Sequence, residues 1–304
     1  MTRKIVPALT GRTIRCILFD LGNTLWTYKD RTMRKTSEKI AQQQAVALLR
    51  SRVDPLSFPH VDDATLIDQL FELIEQQMYA TRPNMRVVPN VILATVTALQ
   101  TLGFPNVERS LGEEVYELLR DNIRETRVLF EDAFITLATL QKRGFLLNVV
   151  SNRGYGGQPF RVGMQEIGLQ EYFDPQKIAI SIDLGSNKPK AYIFQYALDA
   201  LNVKPEEAVM VGDSLGADVI GAKRLDMIAV WKPEPRLFEK ARAKALEHSV
   251  QSSSFEEYVL NDVLKRAKKR EQKKGRSIPA DLQPDFVIEH LRELLDVFVE
   301  VGKQ

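Results

Sequence analysis
Apolar positions along this chain follow two periods. Short runs in which nearly every residue is apolar read as strands covered on both faces. They are Ile14–Phe19, Phe145–Val150, Lys177–Ile182, Ala208–Val211, Ile228–Trp231 and an edge strand at Phe286-Val287-Ile288. Between the first and second of these the period becomes helical. Arg34–Arg50 carries Ile40, Ala41, Ala45, Val46, Leu48 and Leu49, and Asp63–Tyr79 carries Leu66, Ile67, Leu70, Phe71, Leu73 and Ile74. Asp54-Pro55 and Phe58-Pro59 punctuate this block. Asn90–Leu102 stops at Gly103, and Ser110–Arg124 opens with Ser110 and Glu113 at capping-box spacing.

Past that block, strands alternate with helices. The helices are Asp132–Arg143, Phe160–Ile167, Pro189–Leu201 with proline at the favoured first position, Asp218–Arg224 and a closing His290–Phe298. Apolar strands separated by helices predict an α/β fold with a doubly wound parallel sheet. The helical block interrupts the alternation after one strand. It predicts an all-helical domain over 30–125, inserted into a core made of 1–29 and 126–304 and joined to it near Thr27–Asp30 and Arg124–Leu129.

Composition narrows the function classes. The chain has 304 residues, 44% hydrophobic and 27% charged, with a formal net charge of +2. That balance gives no global field toward nucleic acid or membrane. No apolar stretch approaches the ~20 residues that span a bilayer, and Met1–Arg15 lacks the apolar segment of a secretory signal, so a cytoplasmic protein is expected. Cys16, the only cysteine, lies in the first strand and is expected to be a small core residue. His60, His248 and His290 are not at ligand spacing, which argues against a histidine zinc site. The stretch Arg236–Arg276, within a helical insertion at 236–280, holds twelve Lys/Arg against six Asp/Glu. Ser254 and Glu257 there have capping-box spacing. No aromatic residue between Tyr258 and Phe286 could stack on bases, so a solvated basic helix is expected and no nucleic-acid partner.

The candidate chemistry sits at strand ends. Ile14–Phe19 delivers Asp20, and Ala208–Val211 delivers Gly212-Asp213-Ser214-Leu215-Gly216-Ala217-Asp218. In an open α/β sheet that edge is where ligands bind. Carboxylates meeting there repel unless a cation or a proton lies between them, so a divalent-metal site around an aspartyl nucleophile is expected. Ser151-Asn152 ends another strand, and Lys188 follows a fourth. Singly, each has a plain alternative: a turn for Ser151-Asn152, a solvated charge for Lys188, a helix cap for either aspartate.

Asp20, Ser151, Lys188 and the Asp213/Asp218 pair, in this order and at four strand ends, resemble the haloacid dehalogenase superfamily. The resemblance covers 14–29 and 128–232, plus Pro284–Phe298. It implies a Rossmann-like core whose inserted helices form a C1-type cap. It implies hydrolysis of a small phosphorylated metabolite, with Asp20 as a nucleophile that becomes an aspartyl phosphate. Mg²⁺ would be held by Asp20, the Gly22 carbonyl and Asp213, with Asp218 orienting the ligands. Ser151, Asn152, Asn23 and Lys188 would face the substrate, Ser151 and Lys188 taking part in catalysis.

One departure matters. Most phosphatases of the superfamily place a second aspartate two residues after the nucleophile, as proton donor and then base; here that residue is Gly22. Tyr28, Asp30 or a cap residue could substitute. On sequence alone, Gly22→Asp is expected to raise turnover. Hydrolytic dehalogenases also lack that aspartate, but they need no metal and generally lack an intact acidic fourth motif. A C–P hydrolase would need a Schiff-base lysine in the cap, for which Lys29, Lys35 and Lys39 are available. A third alternative is a non-enzymatic relative that binds a phosphorylated ligand or a protein.

Overall fold
The computed structural model describes residues 9–28, 31–53, 60–80, 90–124, 127–154, 156–273, 275, 277–279 and 283–301. The chain begins with β1 (Cys16–Phe19), β2 (Trp26–Tyr28), α1 (Arg31–Arg52), α2 (Asp63–Ala80), α3 (Val91–Thr101) and α4 (Arg109–Arg124). It continues with β3 (Arg127–Leu129), α5 (Ala133–Lys142), β4 (Leu146–Ser151), α6 (Gly157–Glu166), β5 (Ala179–Ile180), α7 (Ser181–Leu184) and α8 (Ala191–Asp199). The remainder is β6 (Ala208–Gly212), α9 (Ile220–Lys223), β7 (Ile228–Trp231), α10 (Pro235–Glu247), α11 (Phe255–Lys273), β8 (Phe286–Val287) and α12 (Leu294–Val297).

Six strands form one sheet in the order β5-β4-β1-β6-β7-β8, and every pairing is parallel. All four residues of β1 are buried because the strand has neighbours on both sides and helices on both faces. Alternation assigns them to opposite layers. Ile17 and Phe19 pack with Leu137 of α5, Phe160 of α6 and Leu294 of α12; Cys16 and Leu18 pack with Phe194 of α8, Ala222 of α9 and Val259 of α11. Burial pushes the Cys16 thiol up to about 12, against a smaller pull downward from Arg15, so it behaves as the expected small apolar filler. The doubly wound core is thus legible in the strands' apolar runs. From β1 the chain runs outward to β4 and β5, then returns across β1 to β6. This reversal places the carboxyl ends of β1, β4 and β6 around one crevice.

Among the described residues from 31 to 124 no strand occurs. The helices α1–α4 enclose an apolar cluster of their own, with Ala45, Leu49, Leu66, Leu70, Ala98, Leu99 and Val115 at its centre. The chain enters and leaves this helical body through β2 and β3, which pair antiparallel with Trp26 opposite Leu129 and Tyr28 opposite Arg127. Sequence reading gives these segments as plain connections. Three-residue strands carry too little pattern to be recognised, and each is stabilised only by the other.

Local corrections follow from packing and caps. The helix α4 starts at Arg109, so Ser110 lies inside its first turn and caps nothing; the i,i+4 pair Arg109–Glu113 is formed there instead. Pro189 precedes the N-cap, Lys190, of α8 and is not its first residue. The expected strand Lys177–Ile182 is reduced to β5 because Ser181 opens a helical turn. The segment containing Asp218 is a π-turn over Leu215–Val219 before α9. The closing helix is a 3-10 turn at Leu291–Glu293 followed by α12. The basic stretch 236–276 forms α10 and α11, whose apolar side lies on the core through Leu237, Ala241, Val259 and Val263. Several of its charges are locally compensated, by Arg242–Glu289, Arg270–Glu234, and Lys244 and Arg266 on Asp262.

Candidate active site
Strand ends place the charged residues. Asp20 follows β1, its amide donating to Val211 O at 2.9 Å, so its backbone continues the sheet ladder on the β6 side. Ser151 is the last residue of β4 and is buried. Its hydroxyl donates to Asp20 Oδ1 at 3.2 Å. Lys188 is 2% exposed, and its Nζ reaches Asp20 Oδ1 at 2.7 Å, Val150 O at 2.7 Å and Asp218 Oδ1 at 2.6 Å. One ammonium therefore faces two carboxylates and a strand-end carbonyl, which matches its three donors.

The loop after β6 brings the other two carboxylates. Asp218 is fully buried on the π-turn, and its Oδ2 accepts from Ser214 N at 2.9 Å. Gly212 is required beside it: a Cβ there would stand 2.3 Å from Asp218 Cγ. Asp213 is held by Trp231 Nε1, which donates to its carbonyl at 2.8 Å. Carboxylate oxygens of Asp20, Asp213 and Asp218 lie within 4.8 Å of one another. Burial, then the charges of Asp20 and Asp218, push Asp213 well above the usual carboxylate range. Burial pushes Asp218 to about 6 despite the opposing pull of Lys188. For Lys188, burial works against the charged form, but Asp20 and Asp218 outweigh it and hold the ammonium above its ordinary value. Three carboxylates gathered around one paired ammonium favour protons or a cation between them. Hard oxygen donors at this spacing fit a divalent cation.

The remaining residues expected at the site take definite places. Asn23 has a left-handed backbone, φ +57°, a conformation Asn tolerates better than most residues. Its amide donates to Asp213 Oδ2 at 3.3 Å, so here it supports the acidic cluster. Asn152 is exposed, and its side chain clamps the Lys188 backbone, accepting from Lys188 N at 2.8 Å and donating to Lys188 O at 3.1 Å. Gly22 lies in the tight loop between Asp20 and β2, bridged to Trp26. Lys35 and Lys39 are exposed on α1. Lys29 and Asp30 lie outside the described residues. The basic insertion reaches the site's flank: Ala267, Arg270 and Glu271 share a cavity of about 70 Å³ with Asp213, Ser214 and Trp231.

Two residues of the site are missed by sequence reading. Arg153, just after Ser151-Asn152, stacks on Trp26 with its guanidinium carbon 5.1 Å from the ring centre. Lys232, which follows β7, is 1% exposed. Its Nζ donates to Asn23 O at 3.3 Å and lies 3.4 Å from the centre of the Phe130 ring. Neither carries a pattern in sequence that separates it from a surface cation. Burial lowers Lys232 to about 8, more than Asp132, Asp213 and Glu289 restore. A lysine lowered on folding costs stability while it stays charged. That cost is full below about 8 and disappears as pH rises toward the ordinary 10.5. Lys232→Met is therefore expected to stabilise the metal-free protein at pH 7, by on the order of 2–3 kcal/mol. Urea midpoints of both proteins at pH 7 and pH 10 check this; the gap must shrink at pH 10, and an equal gap at both would refute it.

The chain belongs to the haloacid dehalogenase-like hydrolases: that family's profile matches residues 14–226. It is therefore read as a hydrolase. It is 28% identical over 231 residues to the glyceraldehyde 3-phosphate phosphatase of Pyrococcus furiosus, an alignment covering 72% of this chain and 81% of that one. It is 37% identical over 133 residues to the phosphoserine phosphatase of Thermus thermophilus, covering 42% of this chain and 48% of that one. In fold it is similar to a 2-haloacid dehalogenase from Pseudomonas syringae pv. Tomato DC3000, with TM-score 0.60, 22% identity, and coverage of 94% of this chain and 98% of that one. It is also similar to a HAD phosphatase from Thermococcus onnurineus, with TM-score 0.55, 21% identity, and coverage of 95% and 100%. At those identities the structural likeness speaks for the fold alone. Among the described residues no helix is long and apolar enough to cross a membrane.

Proposed function
We propose that this chain is a Mg²⁺-dependent phosphatase of a small phosphorylated metabolite, working through an aspartyl phosphate on Asp20. The observation that carries this reading is the meeting of Ser151 and Lys188 on a single oxygen, Asp20 Oδ1. Among the described residues no donor engages Oδ2, so that oxygen is the one free to attack phosphorus. Lys188 orients the carboxylate through its hydrogen bond to Oδ1 and offers charge to the incoming phosphoryl oxygens. Ser151 Oγ, now on Asp20, can turn to a phosphoryl oxygen once the substrate arrives. Water then cleaves the aspartyl phosphate.

Asp20, Asp213 and the Gly22 carbonyl would hold the cation, and Asp218, fixed by Lys188 and Ser214 N, would orient them. When bound, Mg²⁺ supplies the neutralising charge that lets a phosphate dianion approach an aspartate. The helical body α1–α4 serves as the cap over this crevice, and the β2–β3 ribbon as its hinge. Such a lid admits small substrates. The relatives' names as phosphatases of glyceraldehyde 3-phosphate and phosphoserine agree with that size class. A metal-free C–halogen hydrolase is disfavoured, since the carboxylates of Asp20, Asp213 and Asp218, within 4.8 Å of one another, repel without a cation between them.

A panel of small phosphorylated metabolites, assayed with Mg²⁺ and with chelator, tests the reading. Phosphate release that needs Mg²⁺ is expected for at least one of them. Release unaffected by chelation, or none across the panel, would overturn it.

A further inference from the structure
At Gly22 this chain lacks the carboxylate that most phosphatases of its family place two residues after the nucleophile. The structure shows what stands there. A Cβ built on Gly22 would lie 3.6 Å from Arg153 Nη2 and 3.9 Å from Trp26 Nε1. The Cβ of any other residue at position 22 would thus be in van der Waals contact with the Arg153 guanidinium.

Arg153 is held at two points, its backbone by Ser181 and its side chain by Trp26. The buried Ser181 hydroxyl accepts from Arg153 N and donates to Arg153 O, both at 2.9 Å. Trp26 supplies a face for the side chain to stack on. Arg153 is only half-buried, yet its Nε is buried without a hydrogen-bond partner, and it pairs with no carboxylate among the described residues. Lys188 is taken up by Asp20, Asp218 and Val150 O, and Lys232 donates to Asn23 O, whereas the Arg153 side chain makes no hydrogen bond or ion pair among the described residues. A guanidinium fixed by its backbone and by stacking, with donors unused, is suited to an anion.

We propose that Arg153 replaces the missing acid with a fixed positive charge, and so selects substrates whose leaving group departs as an anion. Acyl phosphates and phosphoanhydrides belong to that class; simple alkyl phosphates do not. This rests on the phosphatase reading above. In the first step an Asp20 oxygen bonds to phosphorus while the bond from phosphorus to the leaving oxygen breaks, and that oxygen keeps the electron pair. Arginine stays protonated and transfers no proton, so the group leaves as a carboxylate or a phosphate, its charge facing Arg153. Water then bonds to phosphorus, the Asp20–phosphorus bond breaks with its pair returning to Asp20, and both water protons leave on the phosphate, which ionises in solvent. Gly22→Asp takes on a new meaning: its carboxylate would pair with Arg153 and stay ionised, so the gain in turnover expected from sequence is not expected from the structure.

The test uses wild type, Arg153→Ala, Arg153→Gln and Arg153→Lys with saturating Mg²⁺ on acetyl phosphate, glycerol 3-phosphate and a series of aryl phosphates of graded leaving-group acidity. Thermal melting confirms folding of each variant. Wild type should favour acetyl phosphate over glycerol 3-phosphate. Arg153→Ala should lower kcat on acetyl phosphate by about 10²-fold, the usual cost of removing one charge-stabilising donor. Its rates on the aryl series should fall more steeply as the leaving group becomes less acidic, and Arg153→Lys should recover part of both. Inhibition by inorganic phosphate should stay within a few-fold, because Ser151 and Lys188 still bind it. Wild-type turnover with a slope indifferent to residue 153, or a preference for glycerol 3-phosphate, overturns this proposal alone. No wild-type turnover on any of these substrates overturns the phosphatase reading and this proposal with it.

Discussion
Asp20→Asn should abolish turnover and leave the folded state at least as stable as wild type. An amide of the same shape keeps Oδ1, so Ser151 Oγ and Lys188 Nζ retain their acceptor. What it loses is the anionic oxygen that bonds to phosphorus, and neither of the other two carboxylates of the cluster is free to substitute. Asp218 is fully buried behind Lys188, and Asp213 is engaged by the Asn23 amide. The fall in kcat is expected to be on the order of 10⁴-fold or more, as for nucleophiles that act as part of a unit. Stability should move the other way. The Asp20 charge is one of the causes that push Asp213 up, so removing it relieves repulsion inside a buried cluster. Single-turnover assays and thermal melting, both with and without Mg²⁺, read the two effects separately. Activity within tenfold of wild type would remove Asp20 from the chemistry. A large loss of stability would mean that its role is structural.

The parts of the fold readable in sequence are those where one physical rule dominates. Strands β1, β4, β6 and β7 are buried on both faces, so their apolar runs leave little ambiguity, and their last residues mark the crevice. Asp20, Ser151 and Asp213 stand at those ends, though each alone reads equally well as a cap or a turn, and Asp218 lies farther on, in the π-turn. Lys188 is different, because its charge reads equally well as surface. Only the cluster of Asp20, Val150 O and Asp218 around it shows why it is buried. Arg153 and Lys232 fail to stand out for the same reason. Their meaning depends on Trp26, Phe130 and the vacancy at Gly22, residues brought near by the β2–β3 ribbon and by β7. The ribbon is itself illegible, since three-residue strands are fixed by each other and not by their own pattern. Asn152 and Asn23 were legible as residues of the crevice but not in what their side chains hold: the Lys188 backbone in one case, Asp213 in the other.

Lys188→Met should damage both activity and stability, with the second loss repaired by metal. The methionine fills much the same volume but leaves Val150 O without its donor, and the carboxylates of Asp20 and Asp218 without their paired ammonium. Breaking a buried ion pair by deleting one partner commonly costs about 3–5 kcal/mol. Here part of that is avoided, because the carboxylates can take up protons. The incoming phosphoryl group also loses the positive charge that faces it, so kcat should fall by at least the ~10²–10³-fold typical of a lost electrostatic group. A divalent cation brings back positive charge to the carboxylates, though not the hydrogen bond to Val150 O. Binding to the folded state alone stabilises it by mass action, and the more unbalanced site should gain more. The melting gap between wild type and Lys188→Met should therefore be widest in chelator and narrow as Mg²⁺ is raised. Turnover should remain low throughout. A gap indifferent to Mg²⁺ would show that Lys188 and the cation do not share the same carboxylates. Full activity in the variant would place the phosphoryl group somewhere other than between Lys188 and Asp20.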